Sequence, residues 1–317
     1  MDPLALFAGL FSAVAWAFGS HLFARLMVRH REVGAPAANL YKNALSLAIF
    51  GALALALGWP LLDAGDSGWL LLSGLLGFAV GDALYFAALP LCGVQIAALS
   101  GNLIPPAAAL LGWLVLGEVL ESRALVAMAV VMTGIVIVLL GKAGGGDASR
   151  APRPVFGFAL AAGAALTQSF AIIAGRGAMT DGDGTFAFFM MANVARLAGG
   201  VAGAFLIAGL RDGARRERRA VPALFTPLRK GLRGPFAVAA LIAAVLNLPL
   251  FTYAMGTLPA GISSVLFGTT PLWTLPIGLF LGQRYGAKAW IGSAIAFCGL
   301  FVLVDPFGWF ATPLVAT

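Results

Sequence analysis

Four ionisable side chains lie inside apolar stretches of this sequence, where a charge is costly and usually faces a cavity or a partner. They are Lys42, Arg196, Asp82 and His21. Two cations stand against one carboxylate, and Asp82 can neutralise only one of them. We expect the other cation to await an anionic group, such as the carboxylate of a bound compound. The alternatives are that backbone carbonyl groups hold both cations, or that Lys42 reaches the membrane surface along its methylene stem.

Asp82 and His21 are also the candidates for carrying protons. Imidazole titrates near neutral pH, so His21 fits a proton relay, although a lone buried histidine equally fits a hydrogen-bonded packing role. A permanent ion pair with Lys42 would keep Asp82 ionised and oppose such a role. The sequence therefore leaves proton coupling open between these two residues.

Uncharged polar side chains in the same apolar stretches complete a predicted substrate-binding site around Lys42 and Arg196. Amides near the middle of a membrane need partners, either a ligand in a cavity or a neighbouring helix. The predicted set is Trp16, Tyr41, Asn43, Tyr85, Asn102, Gln168, Asn193, Asn247, Thr269 and Thr270.

Two of the apolar stretches contain proline near their middle, at Pro105 and Pro106 and again at Pro271 and Pro276. Proline removes a helical hydrogen bond, and in hydrocarbon the freed carbonyl must find a partner or line a wet cavity. We predict helix breaks at these four prolines. The two stretches, LCGVQIAALSGNLIPPAAALLGWLVLGE and LPAGISSVLFGTTPLWTLPIGLFLGQ, align as an internal repeat, and broken spans at matching places in two halves point to a transporter's binding site.

Motifs for catalysis, metal binding and nucleotide binding are absent from the sequence. It contains no G-x-S-x-G, HExxH or C-x-x-C, and Gly144 to Gly146 follow Lys142, the reverse of a P-loop. Two histidines and two cysteines give no metal-ligand spacing. We therefore expect no catalytic residue, no metal and no cofactor.

The composition indicates an all-α integral membrane protein, because 61% of residues are apolar, 10% are charged and the mean hydropathy is +0.95. Apolar runs of membrane-spanning length recur along the whole chain. They predict ten transmembrane helices, at residues 4–26, 36–57, 68–90, 94–117, 122–141, 155–176, 185–209, 235–256, 260–282 and 286–304.

The loops divide into a basic side and a side almost without basic residues. Sixteen Lys and Arg residues follow predicted helices 1, 5, 7 and 9, against two on the other side, Arg123 and Arg176. The positive-inside rule then places the basic loops in the cytoplasm and both termini outside. Residues 1–141 form a first five-helix repeat, 142–154 a cytoplasmic linker and 155–317 a second repeat with a basic loop at 210–234. An odd number of helices per repeat makes the two repeats inverted.

The net charge of +7 belongs to these loops, so we expect contact with the lipid bilayer and with anionic lipid, and no nucleic-acid partner. A small-molecule substrate is the main expected partner, with the proton as a possible coupling ion. The protein is expected to act as a monomer or a homodimer.

The repeated segments resemble the drug/metabolite transporter superfamily, EamA branch. The resemblance covers nearly the whole chain, and its strongest pieces are LSGNLIPPAAALLGWLVLGE, LFGTTPLWTLPIGLFLGQR, VVMTGIVIVLLG and IAFCGLFVLV. It implies a ten-helix inverted-repeat fold around a central cavity and alternating access. It also implies export of amino acids, metabolites or small amphiphiles across a bacterial inner membrane.

This chain departs from the family pattern at several positions. Many relatives carry Glu where Gln283 stands and Arg where Lys42 stands, and many keep both termini inside. Predicted helix 1 has no acid, so the proton route of the small four-helix relatives does not carry over. Predicted helix 9 has no Lys or Arg, which argues against sugar-phosphate and nucleotide-sugar cargo.

We therefore predict a secondary transporter, an exporter of small organic metabolites such as amino acids or amphiphilic compounds. A lipid-carrier flippase is the second possibility, and it would need a lateral opening between helices. A membrane-embedded enzyme is the third, and it would require His21 and Asp82 to meet beside a nucleophile.

Overall fold

The computed structural model describes residues 2–30, 33, 35–85, 87–88, 91, 100–142, 154–180, 182, 184–215, 225–226, 233–280 and 286–305. These residues are almost entirely helical. In the first half the helices are α1 (Pro3–Arg29), α2 (Ala35–Leu57), α3 (Ala64–Gly74), α4 (Ile104–Leu116) and α5 (Ser122–Lys142). In the second half they are α6 (Pro154–Gly177), α7 (Phe186–Arg215), α8 (Arg233–Ala240), α9 (Asn247–Thr257), α10 (Ala260–Gly268), α11 (Thr270–Phe280) and α12 (Ala287–Val304).

Six helical stretches in the described part of the chain are long and apolar enough to cross a membrane. They span Pro36–Leu57, Ala64–Tyr85, Val155–Gly177, Phe186–Leu210, Gly234–Thr257 and Ala287–Val304, and shorter apolar helices lie at Pro3–Gly19, Ile104–Leu116 and Ser122–Val138. Large apolar side chains such as Leu55, Val155 and Phe280 point outward and are more than four-fifths exposed, at 87%, 82% and 92%. Such surfaces suit hydrocarbon, and the chain is a membrane protein.

Helices of the first half pack mainly against helices of the second half. Helix α1 lies against α9, α10 and α11, while α2 and α3 lie against α7. Helix α4 packs on α6 and α10, and α5 runs along α12. The buried core is therefore an interface between the two halves, so any site at its centre takes side chains from both.

Two π-helical segments interrupt long helices, and the sequence patterns did not predict them. Leu75–Gly81 continues α3, and Leu241–Leu246 joins α8 to α9. They fall within the third and eighth predicted spans, which hold matching positions in the two halves. Single π turns often occur at functional sites, because the wider turn redirects side chains. Both segments end next to polar residues of interest, Asp82 and Asn247.

The helical path is also interrupted beside the prolines. Asn102 and Leu103 form a turn just before α4, whose first turn contains Pro105 and Pro106, and Thr269 separates α10 from α11 just before Pro271. Pro276 is a correction to the sequence prediction: it lies inside α11, which continues through it to Phe280. A proline here removes one backbone bond without ending the helix, because the neighbouring turns stay helical.

Glycines allow α5 and α12 to pack with their backbones in contact. A Cβ atom at Gly134 would lie 2.4 Å from the backbone nitrogen of Ala296, and one at Gly292 would lie 2.6 Å from the carbonyl oxygen of Gly134. Close approach of this kind is a main source of helix association in membranes.

We predict that Gly134→Ala destabilises the folded protein by about 1–3 kcal/mol, because the added methyl group forces the two backbones apart. Thermal unfolding of purified protein in detergent measures the effect. Gly51→Ala is the matched control, since no atom lies within 4 Å of its Cβ position. Equal melting temperatures for the two variants would contradict the packing argument.

Candidate functional site

Arg196 lies in the first half of α7 and is 2% exposed. Its Nε donates a hydrogen bond to the hydroxyl of Ser73 at 3.1 Å, and its Nη1 donates to the hydroxyl of Thr252 at 3.1 Å. These partners come from α3 and α9. Arg196 therefore joins helices of both halves at the centre of the bundle.

Two glycines bring α3 and α7 together so that Ser73 meets Arg196. A Cβ atom at Gly74 would lie 1.7 Å from the carbonyl oxygen of Arg196, and one at Gly199 would lie 2.0 Å from that of Leu71. Any side chain at either position would separate these backbones. The contact between the helices thus depends on the absence of two Cβ atoms.

The hydroxyl groups beside Arg196 are oriented by further hydrogen bonds. Ser73 Oγ donates to the carbonyl oxygen of Ala171 at 2.6 Å, and Thr252 Oγ1 donates to Oδ1 of Asn193 at 3.5 Å. Both oxygens therefore accept from the guanidinium. Asn193 is fully buried, and its Nδ2 has no hydrogen-bond partner among the described residues. Arg196, Asn193, Ser73 and Thr252 are called the Arg196 cluster below.

Aromatic rings close two sides of the Arg196 cluster. The guanidinium carbon lies 5.0 Å from the ring centre of Phe78 and 6.0 Å from that of Phe251. At these distances the ring faces attract the cation and keep water away from it. Within the described part of the chain, no carboxylate pairs with Arg196.

Lys42 lies in a separate cluster at α1, α2 and the end of the first π-helical segment. It is 5% exposed, and its Nζ lies 4.9 Å from the centre of the Trp16 ring. Asp82 is close enough to interact with the charge of Lys42, and Asp82 also hydrogen-bonds with the side chain of Asn39. Asp82 therefore acts on Lys42, whereas no carboxylate among the described residues is paired with Arg196.

Asn39 and Asn43 link the Lys42 cluster to the Arg196 cluster. Asn39 Nδ2 donates to the carbonyl oxygen of Phe78 at 2.8 Å, and Asn43 Nδ2 lies 3.5 Å from Asn39 Oδ1. Asn43 is fully buried, and its Oδ1 has no partner among the described residues. Since the ring of Phe78 contacts Arg196, the π-helical segment that carries Phe78 touches both clusters.

Other polar residues of the predicted site lie at the helix breaks. The hydroxyls of Thr269 and Thr270 donate to the carbonyl oxygens of Leu266 and Phe267 at 2.6 and 2.7 Å, which satisfies acceptors freed at the break. At the other break, Asn102 Nδ2 is buried without a partner in the described residues. Pro105 is buried, and Pro106 is exposed.

The remaining predicted residues lie outside both clusters. Asn247 Nδ2 donates to the carbonyl oxygen of Ser12 at 2.7 Å and so ties α9 to α1. The Tyr41 ring packs edge-on against Phe236 at 6.3 Å, Tyr85 packs with Ala88 and Ala161, and Gln168 faces Gly77. The side chains of His21 and Pro271 lie outside the described part of the structure.

Sequence reasoning missed Ser73, Thr252 and Asn39, which hold the charged groups in place. Serine and threonine are common in membrane helices, where they usually bond to their own backbone, so neither stood out. The position of Ser73 along α3 and of Thr252 along α9 indicates how deep each residue lies in the membrane. It does not indicate which other helix crosses nearby. Asn39 lies one helical turn before Asn43, so the two amides share a helix face. This spacing is the sequence pattern that could have identified Asn39 as part of the site.

Two grooves are present on the outer surface of the described bundle. One of about 460 Å³ lies between α1 and the stretch formed by the second π-helical segment and α9, and its lining, which includes Phe7, Phe11 and Leu246, is entirely apolar. A second of about 470 Å³ lies between α4 and α5 and reaches Glu118. Neither contains Lys42 or Arg196. The central cavity stays a prediction.

Comparison with known proteins gives one family. Residues 3–140 and 155–305 each match the model of the EamA-like transporter family. A protein crystal structure is similar to this chain with a TM-score of 0.69 and 21% identity, and the similarity covers 97% of this chain and 99% of that one. That similarity supports the fold alone. A search of curated proteins finds no match to this chain.

We predict that Asp82→Asn lowers the melting temperature of the protein, because it removes the carboxylate that acts on the buried charge of Lys42. The double substitution Lys42→Met with Asp82→Asn should recover most of this loss, since it leaves no buried charge. Melting temperatures of the two single variants and the double variant give the coupling. Additive losses in the double variant would show that the two charges do not interact.

Proposed function

We propose that this chain, which belongs to the EamA-like transporter family, is a secondary transporter that exports small organic metabolites such as amino acids or amphiphilic compounds. It would consist of ten transmembrane helices in two inverted repeats of five and work by alternating access. It would lie in a bacterial inner membrane with both termini outside. A proton gradient, through Asp82 or His21, or a substrate gradient would supply the energy.

The observation that carries the proposal is a set of buried amide atoms without partners. Among the described residues these are Oδ1 of Asn43, Nδ2 of Asn102 and Nδ2 of Asn193. An unsatisfied buried polar atom costs about 1–3 kcal/mol, so a protein selected only for stability would not keep three. Water and a polar solute passing between the helices would satisfy all three.

The positions of these amides support a path rather than a single packing defect. Asn43 lies on α2, Asn102 at the break before α4, and Asn193 on α7. A break frees backbone groups at membrane depth, which is tolerated where they line a wet cavity. The substrate would then bind between the breaks and the two clusters, with Lys42 and Trp16 on one side and Arg196 on the other.

A lipid-carrier flippase remains the second candidate, because the groove between α1 and α9 opens sideways to the membrane. Its lining carries no polar group for a lipid headgroup, so the groove fits acyl chains only. Transport through the centre is therefore the function to test first. Catalysis would need a nucleophile beside Asp82 and His21, and the EamA-like family consists of transporters.

The first test is a thermal-stability screen of the purified protein against L-amino acids, nucleosides, dicarboxylates and cationic dyes. A compound that binds only the folded state raises the melting temperature. Compounds that do so are then tested for counterflow, in which preloaded proteoliposomes accumulate labelled compound by exchange. We expect counterflow above that of protein-free liposomes.

We further expect Asn43→Leu to reduce counterflow at least severalfold while its melting temperature stays equal or rises, because the substitution removes a buried polar atom that lacks a partner. Gly51→Ala on the same helix is the control and should transport normally. Full counterflow by Asn43→Leu, or none by the parent protein, would contradict the proposed function.

A further inference from the structure

We infer that the Arg196 cluster binds a carboxylate group of the transported compound. The inference rests on the proposed function and assigns its substrate class. A guanidinium buried among membrane helices is expensive unless an anion or several hydrogen bonds compensate it. The described residues offer Arg196 two neutral hydroxyls and two ring faces, and no carboxylate.

The donors of the cluster are in excess over its acceptors. A guanidinium has five N–H groups, and two nitrogens of Arg196 bond to Ser73 and Thr252. Asn193 Nδ2 adds a buried donor without a partner in the described chain, joined to Arg196 through Thr252. A ligand with two acceptor oxygens complements this set, because carboxylate and guanidinium pair through two parallel hydrogen bonds.

The same argument does not extend to Lys42. The carboxylate of Asp82 acts on the charge of Lys42, and the centre of the Trp16 ring lies 4.9 Å from its ammonium nitrogen. An added anion at Lys42 would face the Asp82 carboxylate. The electrostatics of the bundle therefore direct an anionic group to Arg196.

Access to the cluster requires the two halves to move apart. Arg196 is 2% exposed, and its hydroxyl partners Ser73 and Thr252 stand on opposite halves. Separation of α3 from α9 would remove one of these bonds and turn the guanidinium toward the opening. The ligand carboxylate would replace the lost acceptor, so binding and movement of the halves are coupled.

The test compares acid and amide pairs of equal shape: L-alanine with L-alaninamide, succinate with succinamide, and benzoate with benzamide. Melting temperatures are measured for the parent, Arg196→Gln, Arg196→Lys and Arg123→Gln. We expect one acid or more, and not its amide, to stabilise the parent and Arg123→Gln. Arg196→Gln should lose this effect, and Arg196→Lys should bind roughly tenfold more weakly because a lysine cannot pair through two bonds.

Several results would overturn the assignment: an amide as effective as its acid, retained acid binding in Arg196→Gln, no stabilisation of the parent by any acid, or an equal effect of sodium chloride alone. If Arg196→Gln does not fold, acid binding is measured with Arg196→Lys and Asn193→Ala instead. Unchanged acid affinity in both of these variants overturns the assignment. Counterflow of an uncharged or cationic compound by the parent protein, with no acid bound, would leave transport standing while removing the carboxylate site.

A second observation, independent of the first, concerns Glu118 and Arg176. Glu118 Oε1 lies 2.8 Å from Arg176 Nε, and Glu118 Oε2 accepts a hydrogen bond from the backbone nitrogen of Ala260 at 2.8 Å. Arg176 Nη1 donates to the carbonyl oxygen of Gly256. We call these four residues the latch. Glu118 belongs to the first half and the other three to the second.

Local backbone structure aims Glu118 at the latch. Gly117 adopts a left-handed conformation with φ 69°, and the backbone nitrogens of Gly117 and Glu118 both donate to the carbonyl oxygen of Gly112. A Cβ atom at Gly112 would lie 2.7 Å from Glu118 Oε2, so this glycine makes room for the carboxylate. The carboxylate also meets the N-terminus of α10, where the helix dipole favours a negative charge.

We propose that the latch closes one face of the protein during the transport cycle. It joins the ends of α4, α6 and α9 to the start of α10, so the halves cannot part at this face while it is formed. The side chains of Arg176 and Glu118 are 15% and 12% exposed, which limits screening by water. Met255, fully buried, lies between the latch residue Gly256 and the Arg196 cluster.

The latch is tested with Met255→Cys as a reporter in a protein whose Cys92 and Cys298 are replaced by serine. A membrane-impermeant maleimide is added to proteoliposomes. Ser122→Cys, at the exposed start of α5 near Glu118, reports the fraction of molecules whose Glu118 side faces the reagent. Glu118→Gln and Arg176→Gln should each raise labelling of the reporter roughly tenfold, equivalent to about 1.4 kcal/mol. Arg176→Lys, which keeps the charge, should raise it less.

Arg123→Gln is the matched control, because it breaks an ion pair of similar exposure between Arg123 and Asp305 that joins α5 to α12. Unchanged labelling in both Glu118→Gln and Arg176→Gln would overturn the latch, as would an equal increase in Arg123→Gln. Each variant must elute as folded protein. If the two glutamine variants do not, labelling of the reporter in Arg176→Lys alone tests the latch. The assay needs no substrate, so its failure differs from failure of transport or of the carboxylate site.

Discussion

The cost of placing polar groups in hydrocarbon is the constraint on which the rest of this structure depends. Arg196 is buried at the centre of an apolar bundle, and its compensation comes from hydroxyls on two other helices and from two aromatic rings. These partners come from one stretch in each half, with Ser73 and Phe78 on α3 and its π-helical continuation and with Phe251 and Thr252 on α9. The charge therefore fixes how α3, α7 and α9 pack, and it does so without a described carboxylate that would make the arrangement permanent.

The backbone meets the same constraint at its irregular points. Where helical hydrogen bonding is interrupted, threonine hydroxyls at 269 and 270 take up freed carbonyl oxygens. Where helices must touch, glycine at 74 and 199 removes the side chains that would keep Ser73 from Arg196. The π-helical segment after α3 places Phe78 so that its ring contacts Arg196 and its carbonyl oxygen accepts from Asn39. The irregular backbone segments and the charged side chains therefore lie close together, because each supplies partners that the other requires.

The sequence predicted the all-helical membrane class well and the contacts between helices poorly. Long apolar runs and the repeated proline pattern were enough for the membrane class, the two repeats and the family. Residue type alone also identified Lys42, Asp82 and Arg196 as the groups that need an explanation. The interaction of Asp82 with Lys42 rather than with Arg196, and the roles of Ser73 and Thr252, depend on which helix faces cross. Hydrophobic periodicity gives no such information in a bundle that is apolar on all sides. The predicted helix break at Pro276 was wrong for a related reason, because a helix that packs against its neighbours tolerates an internal proline.

The connection between the Arg196 cluster and the latch follows from helix geometry. Thr252 and Gly256 are four residues apart on α9 and so lie on the same face, one turn from each other. Thr252 bonds to Arg196, and Gly256 bonds to Arg176. On α6, Gly175 faces Ser73 and Met255, and Arg176 follows it directly. Each of the two helices therefore contacts both the cluster and the latch within about one helical turn. In the proposed cycle, a shift of α9 that changes the surroundings of Arg196 would also move Gly256 relative to Arg176, and this would couple binding at the Arg196 cluster to the latch.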